Sequence, residues 1–402
     1  MKRVLVIGGS VGGLMAACLF RRAGWEVSVF ERALGDLAGR GAGLGLSAEL
    51  LEVLERAGAR FEASAGVMQS SMVWLDRDGK VVFEHRRSMM ASAWARVYQP
   101  LRDSLPSGLY RQGATLERVE QEAGSVTAVF ADGSREQADL LVAADGVLST
   151  VRAQYLPRVQ PQFANYVAWR GIVEERDMPR ATLDAIAERI IFCFPQGSML
   201  LCMCVPGPGE DMRPGHRRVY FIWYRPLARQ SLTELFTDAG GRNHGLSIPP
   251  PLIRPELVRE LKVHAREVLP DVIAAVVEGT AQPLLQAISD MESPRLCFGR
   301  VALLGDAAFV ARPHVAAGAS KAALDARCLV DSMVAEASDS AAALARYENS
   351  QQDFGSRLVR YSRYLGADLE GRPTERDPAR IIRDYLAPNL LHDVDPAWVP
   401  SA

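Results

Sequence analysis

Four apolar residues, Val4-Leu5-Val6-Ile7, run directly into a glycine-rich turn, Gly8-Gly9-Ser10-Val11-Gly12-Gly13, and no other stretch of the 402-residue chain constrains its fold so tightly. A helix-like segment follows and is closed by Gly24, and a second apolar run, Val27 to Phe30, ends on Glu31. Strand, turn, helix and strand make a βαβ unit whose helix N-terminus offers free N–H groups and a partial positive charge to a phosphate. Set against the pattern G-x-G-x-x-G, the positions are Gly8, Ser10 and Gly13, so a serine stands in the middle. The leading strand and the placement of Glu31, where an acidic side chain meets a ribose hydroxyl, favour a dinucleotide site over a plain strand-to-helix reversal. They do not say which dinucleotide.

A chain of this length predicts two domains with a sizeable core. Hydrophobic content of 48% and a net charge of -2 describe an ordinary globular protein and give no reason to expect nucleic acid or an anionic membrane as partner. The six cysteines show neither a CxxC pair nor zinc spacing, and no pair of histidines has metal-ligand spacing, so no metal is expected. The uncharged run between Arg3 and Arg21 is too broken by glycine for a signal peptide, and nothing reaches the length of a membrane span. The expected compartment is the cytoplasm.

Beyond Glu31 the sequence predicts a glycine-rich loop, Gly39 to Leu46, in which Arg40 either meets an anion or is solvated, and then a helix from Ala48 to Ala57. A hairpin is expected over Met68 to Glu84 and a helix over Trp94 to Leu105. Ser125 to Phe130 and Leu140 to Ala144 read as a second hairpin around Asp132-Gly133, the wholly apolar second strand rejoining the dinucleotide sheet. Four strand-like runs without intervening helices, Asn165–Val173, Arg189–Phe194, Met199–Val205 and Arg217–Arg225, predict an antiparallel sheet in a second domain. Helical segments are expected between Pro255 and Glu278. A buried strand, Val301 to Leu304, then leads through Gly305-Asp306 to a helix starting near Gly318, and Asp306 falls at a strand's carboxyl end, where ligands of open α/β sheets gather. A long helix is expected over Ser340 to Leu369, and a loosely packed tail after Gly371.

Three separated segments together resemble one family, the flavoprotein aromatic hydroxylases with the p-hydroxybenzoate hydroxylase fold. They are the βαβ unit ending Glu31-Arg32, the segment Ala144-Asp145-Gly146 with Ser149 and Arg152, and Gly305-Asp306-Ala307-Ala308 with Pro313 and Gly318. Within the family, YVAWRG (Tyr166 to Gly171), the Gly9-Ser10 turn and RPHVAAGA (Arg312 to Ala319) are most similar to its hydroxypyridine-hydroxylating branch. The resemblance implies an α/β fold with an α+β part: a Rossmann-like FAD-binding domain of glutathione-reductase type, an antiparallel-sheet substrate domain and C-terminal helices. Residues 1–67, 88–160 and 280–335 would form the FAD-binding domain, 68–87 and 161–279 the substrate domain, and 336–402 the C-terminal segment.

It also implies roles. Gly8, Ser10 and Gly13 would line the FAD pyrophosphate, Glu31 and Arg32 the adenosine ribose, and Arg40 the flavin. Asp145 and Arg152 would support FAD and transient NAD(P)H contact, Asp306 the ribityl chain, and Ala317 and Gly318 the flavin N1 and O2. Three positions depart from the family: Tyr98, which would touch the cofactor where an arginine is usual, Phe309 for histidine, and Ser320 for asparagine, with Lys321 next to it.

The implied activity is a monooxygenase of a small aromatic or N-heteroaromatic substrate, with non-covalent FAD, NADH or NADPH and O2, the oxygen captured as a C4a-hydroperoxide; a homodimer is the family expectation. Because an aromatic oxyanion is the better nucleophile, a group must take or favour loss of the proton of a ring hydroxyl. Candidates are His314, Tyr224 and Arg170, with Trp169 and Trp223 as ring-stacking or core residues. On the residues alone, a non-hydroxylating flavoprotein stays open, and an NAD-dependent dehydrogenase is disfavoured by the Asp145 and Asp306 segments.

Overall fold

The computed structural model describes residues 1–37, 43–59, 66–227 and 231–370. Arg40, His392 and the tail after Gly371 lie outside the described residues.

The opening segment folds as its apolar pattern requires. Arg3–Ile7 is a strand, Val11–Arg22 a helix and Glu26–Glu31 a parallel strand, with Val4 opposite Val27. Val4, Leu5 and Val6 are fully buried, as expected of a parallel sheet covered on both faces. The sheet has six strands in the order Cys297–Phe298, Val301–Leu303, Leu140–Ala143, Arg3–Ile7, Glu26–Glu31 and Tyr110–Gln112. Every pairing is parallel except that of the first edge strand.

Leu140–Ala143 therefore lies beside Arg3–Ile7, where its wholly apolar character places it. It is not half of a hairpin, as the sequence reading had it. Val126–Phe130 turns instead onto Arg135–Ala138, and with Leu116–Gln121 these form a separate three-stranded antiparallel sheet. Asp132 fits this tighter turn, its carboxylate accepting from the Ser134 N–H at 2.9 Å.

The second sheet has ten strands. Nine follow the order Ser247–Ile248, Leu284–Glu292, Gln162–Glu174, Arg218–Pro226, Met199–Val205, Arg189–Cys193, Val67–Leu75, Val81–Ala93 and Gly43–Leu46, and Phe309–Val310 pairs with Leu284–Glu292. Four features differ from the sequence reading. A helix, Arg180–Ile186, intervenes between Gln162–Glu174 and Arg189–Cys193, where consecutive strands were expected. Gly43–Leu46, expected as loop, is the edge strand beyond Val81–Ala93. Leu284–Glu292, placed on the FAD side of a boundary at residue 279, pairs with Gln162–Glu174 in this sheet. Arg189–Cys193 and Val67–Leu75 run parallel in an otherwise antiparallel array.

Strand alternation gives this sheet two unlike faces. Val167, Trp169, Phe221 and Trp223 point to one side, where the helices Pro255–Val268 and Asp271–Gly279 cover them. Tyr166, Ala168, Tyr220, Ile222 and Tyr224 point to the other, together with Phe192, Met199 and Met203. The helices Gly318–Ala335 and Ser340–Gly366 complete the molecule; Tyr347 on the second donates to the Leu303 carbonyl at 2.7 Å and so ties it to the parallel sheet. Among the described residues no helix is long and apolar enough to cross a membrane.

Candidate functional site

The first βα turn is built by close backbone packing. Gly8 has φ of +103°, and a Cβ there would stand 2.2 Å from the Ala144 carbonyl oxygen; a Cβ on Gly13 would stand 1.9 Å from the Gly8 oxygen. Glycine at both positions is thus a steric requirement. Ser10 is the N-cap of Val11–Arg22 but its hydroxyl makes no cap hydrogen bond, which leaves it for another partner. Glu31 accepts the Gly9 N–H and the Ala33 N–H, each at 2.9 Å. Each carboxylate oxygen keeps a second lone pair, so the bracing of the turn and the binding of a hydroxyl are compatible.

Two cavities open on this turn. One, of about 300 Å³, is lined by Gly8, Ser10, Glu31, Arg32, Asp145 and Gly146 among others. The other, of about 390 Å³, shares Ser10 and Gly146 and extends to Gly305, Asp306, Gly318 and Arg170. All three sequence segments therefore converge on one connected cleft, with the ten-stranded sheet entering it through Arg170. Trp94 lines both cavities. Tyr98, the residue expected to touch cofactor, is buried behind it, stacked on Trp94 at 4.8 Å, its hydroxyl 3.4 Å from that of Tyr110.

Electrostatics bind the segments together. Arg152, almost wholly buried, donates to the Ala307 carbonyl at 3.1 Å and to Val147 at 2.5 Å, joining the Asp145 loop to the Asp306 turn. Burial pulls its pKa down, and Asp145 and Asp306 oppose that. Asp145 accepts the Val151 N–H at 3.2 Å through one oxygen, while the other is buried with no hydrogen-bond partner. Burial pushes the Asp145 carboxyl up against the hydrogen bonds of Ser149 and the local backbone. Asp306 is accessible where it lines the cavity, yet protein crowds it enough that burial raises its carboxyl, with Lys321 and Arg152 resisting the rise and Asp325 adding to it. A backbone cradle that admits no Cβ and an orphaned buried carboxylate oxygen fit a large, hydrogen-bonding ligand such as FAD. Ala317 is buried at the N-cap of Gly318–Ala335, and Gly318 faces the cavity at a helix start suited to negative charge.

The three candidates for ring chemistry separate. Arg170 lines the larger cavity, and its buried Nε has no acceptor among the described residues. Tyr224 and His314 are buried and line neither cavity. His314 shares a 2.7 Å hydrogen bond with the Tyr166 hydroxyl, and its ring meets Tyr224 edge-on at 5.5 Å. Burial, reinforced by Arg312, pushes the His314 pKa down to about 3, so the imidazole is neutral at ordinary pH. Trp169 and Trp223 lie on the helix-covered face and are core residues. Tyr166, the partner of His314, was not singled out from sequence, although it shares strand parity with Arg170. Among the described residues no cluster suited to a metal ion occurs.

A family model described as FAD binding domain-like matches residues 163–290. The chain is 30% identical over 332 residues to the 2,6-dihydroxypyridine 3-monooxygenase of Paenarthrobacter nicotinovorans, covering 82% of each sequence. It is 28% identical to the 6-hydroxynicotinate 3-monooxygenase of Bordetella bronchiseptica, covering 90% of each. The solved structure of 2,6-dihydroxypyridine-3-hydroxylase from Arthrobacter nicotinovorans superposes with a TM-score of 0.85 at 28% identity, over 94% of this chain and 95% of that one.

Proposed function

The chain belongs to the FAD-dependent aromatic hydroxylases, and from that premise we propose that it hydroxylates a hydroxypyridine or closely similar hydroxylated N-heteroaromatic ring, using NADH or NADPH and O2. When bound, FAD supplies the oxygen activation and accepts the reducing equivalents from the nicotinamide. Gly8, Ser10 and Gly13 hold its pyrophosphate at the helix start, Glu31 and Arg32 its adenosine end, and Asp145 and Asp306 its middle. The backbone of Ala317 and Gly318 takes the flavin edge that gains negative charge.

The observation that carries the substrate reading is Arg170. Its side chain lines the same cavity as Asp306 and Gly318, with a buried donor that no described protein group satisfies. A cation so placed favours the ionised form of a ring hydroxyl and holds the resulting oxyanion, which makes the ring carbon more nucleophilic. On the sheet face that carries Arg170, Tyr220, Tyr224, Met199 and Met203 pack together as an apolar floor. Neutral His314, fixed by Tyr166, supports that floor from behind.

The test begins with the visible spectrum of the purified protein. Hydroxypyridines, hydroxynicotinates and simple phenols are then each mixed with NADH or NADPH, and nicotinamide loss, peroxide and product are followed together. Faster nicotinamide oxidation with a hydroxylated pyridine as product is the expected result. Peroxide without product from every ring would replace this reading with that of a non-hydroxylating flavoprotein. Asp306→Ala should retain FAD poorly, and stoichiometric retention would remove Asp306 from the site. We further read the protein as a cytoplasmic homodimer: six unpaired cysteines suit a reducing compartment, and light scattering measures the oligomer.

A further inference from the structure

Behind the Asp306 turn lies an ion pair that the roles above leave unused. Lys321 and Asp325 sit one turn apart on Gly318–Ala335, both buried, with Nζ 2.6 Å from the Asp325 carboxylate. Both ions also reach across to one residue of another segment. The Lys321 ammonium donates to the Gly305 carbonyl at 2.8 Å, and the Gly305 N–H donates to the same Asp325 oxygen at 2.8 Å. Gly305 has φ of +63°, and it precedes Asp306, whose side chain lines the cleft. The ammonium also stands 5.1 Å over the ring of Phe309, itself a departure from the family.

We propose that Lys321 and Asp325 are a positioning pair that fixes the spacing between two walls of the cofactor cleft, the Asp306 turn and the helix start at Gly318. One ion pair holds both polar backbone atoms of Gly305, so the turn is set relative to the very helix whose N-terminus faces the flavin. From the other side, Arg152 holds the Ala307 carbonyl. The turn is thereby clamped at both ends before any ligand arrives, and FAD meets Asp306 already placed. Buried ion pairs are inefficient as stabilisers, since well-packed apolar replacements of similar volume often fold as well. Their worth here is in setting geometry.

This inference rests on the FAD reading, and binding of FAD to wild-type apoprotein, followed by flavin fluorescence quenching, tests that reading first. Failure of wild type to bind overturns the cofactor assignment and the inference with it. Given wild-type binding, Lys321→Met should raise the dissociation constant of FAD at least tenfold. The double substitution Lys321→Met with Asp325→Leu removes both charges together, so the apoprotein should melt close to wild type while FAD binding stays weakened tenfold or more. A merely structural pair would instead give FAD binding within twofold of wild type once the fold is restored, and that result overturns the proposal. Asp325→Asn keeps an acceptor for Gly305 and Lys321 and should bind FAD within threefold of wild type. A loss as large as that of Lys321→Met would overturn the proposal even if the double variant fails to fold.

Discussion

On the proposed function, the choice of substrate turns on Arg170, whose buried Nε has no acceptor among the described residues. A hydrogen bond to a charged group contributes about 1.5–3 kcal/mol. Arg170→Met should therefore lower kcat/KM for a hydroxypyridine by roughly tenfold to a hundredfold, with FAD affinity little changed. Arg170→Lys should recover part of the loss, and steady-state kinetics with FAD titration distinguishes the outcomes. His314 gives the opposite kind of prediction. Its native pKa is depressed to about 3 by burial and Arg312, whereas the unfolded chain binds the proton near 6.5. Between those values the unfolded state holds more protons, so stability falls as pH falls through that window. From pH 7 to 5 the loss is about 2 kcal/mol. A non-titrating His314→Gln protein should lose correspondingly less on going from pH 7 to 5 in urea unfolding. Any acidic limb of the pH–rate profile near neutrality should survive that substitution, because His314 is already neutral there.

Strand parity decides what neighbouring residues do. Trp223 and Tyr224 are adjacent, both buried, and face opposite sides of one strand. Trp223 packs parallel to the His264 ring at 5.6 Å and donates to the Ser198 hydroxyl at 3.1 Å. Trp223→Ala should cost about 3–5 kcal/mol of stability. Tyr224→Phe should cost less than about 1 kcal/mol and should act mainly on KM; denaturation and kinetics on the two variants check the contrast. This alternation was legible in sequence, as were the parallel strand Val4–Ile7, its glycine turn and the helix Ala48–Ala57, since local periodicity and turn chemistry encode them. Pairing partners were not. Val126–Phe130 turned onto Arg135–Ala138 because Asp132 braces the tighter turn, and apolar Leu140–Ala143 was released to a sheet buried on both faces. Nor does any local pattern reveal that Arg189–Cys193 runs parallel to Val67–Leu75, or that Trp94 shields Tyr98 from the cleft.

Across the whole molecule, charges far apart in sequence hold the C-terminal helix against the Tyr166 face of the ten-stranded sheet. Asp290, nearly fully buried, accepts Arg312 Nε at 2.7 Å through one oxygen and Arg363 at 2.7 and 2.9 Å through the other. Arg312 also reaches Glu370 at 2.6 Å and stands 5.6 Å over the Tyr166 ring, while Gly366 packs against Tyr166 and His314. These residues come from a sheet strand, the loop before Gly318 and the end of Ser340–Gly366, and only the fold brings them together. Removing the shared anion would strip the buried Arg312 Nε of its acceptor while Glu370 still pairs its charge, so the cost should lie at or below the figure of about 3–5 kcal/mol for breaking a lone buried pair. Arg363 is partly exposed and adds little to that figure. Asp290→Asn should therefore lower the urea midpoint strongly. Because the same network backs Tyr166 and His314, KM for the ring should rise in the folded fraction. FAD affinity should change much less, since Gly8, Asp145 and Asp306 are held by other contacts. Equal losses of FAD and substrate affinity in Asp290→Asn would mean that the two walls of the cleft are not independently supported.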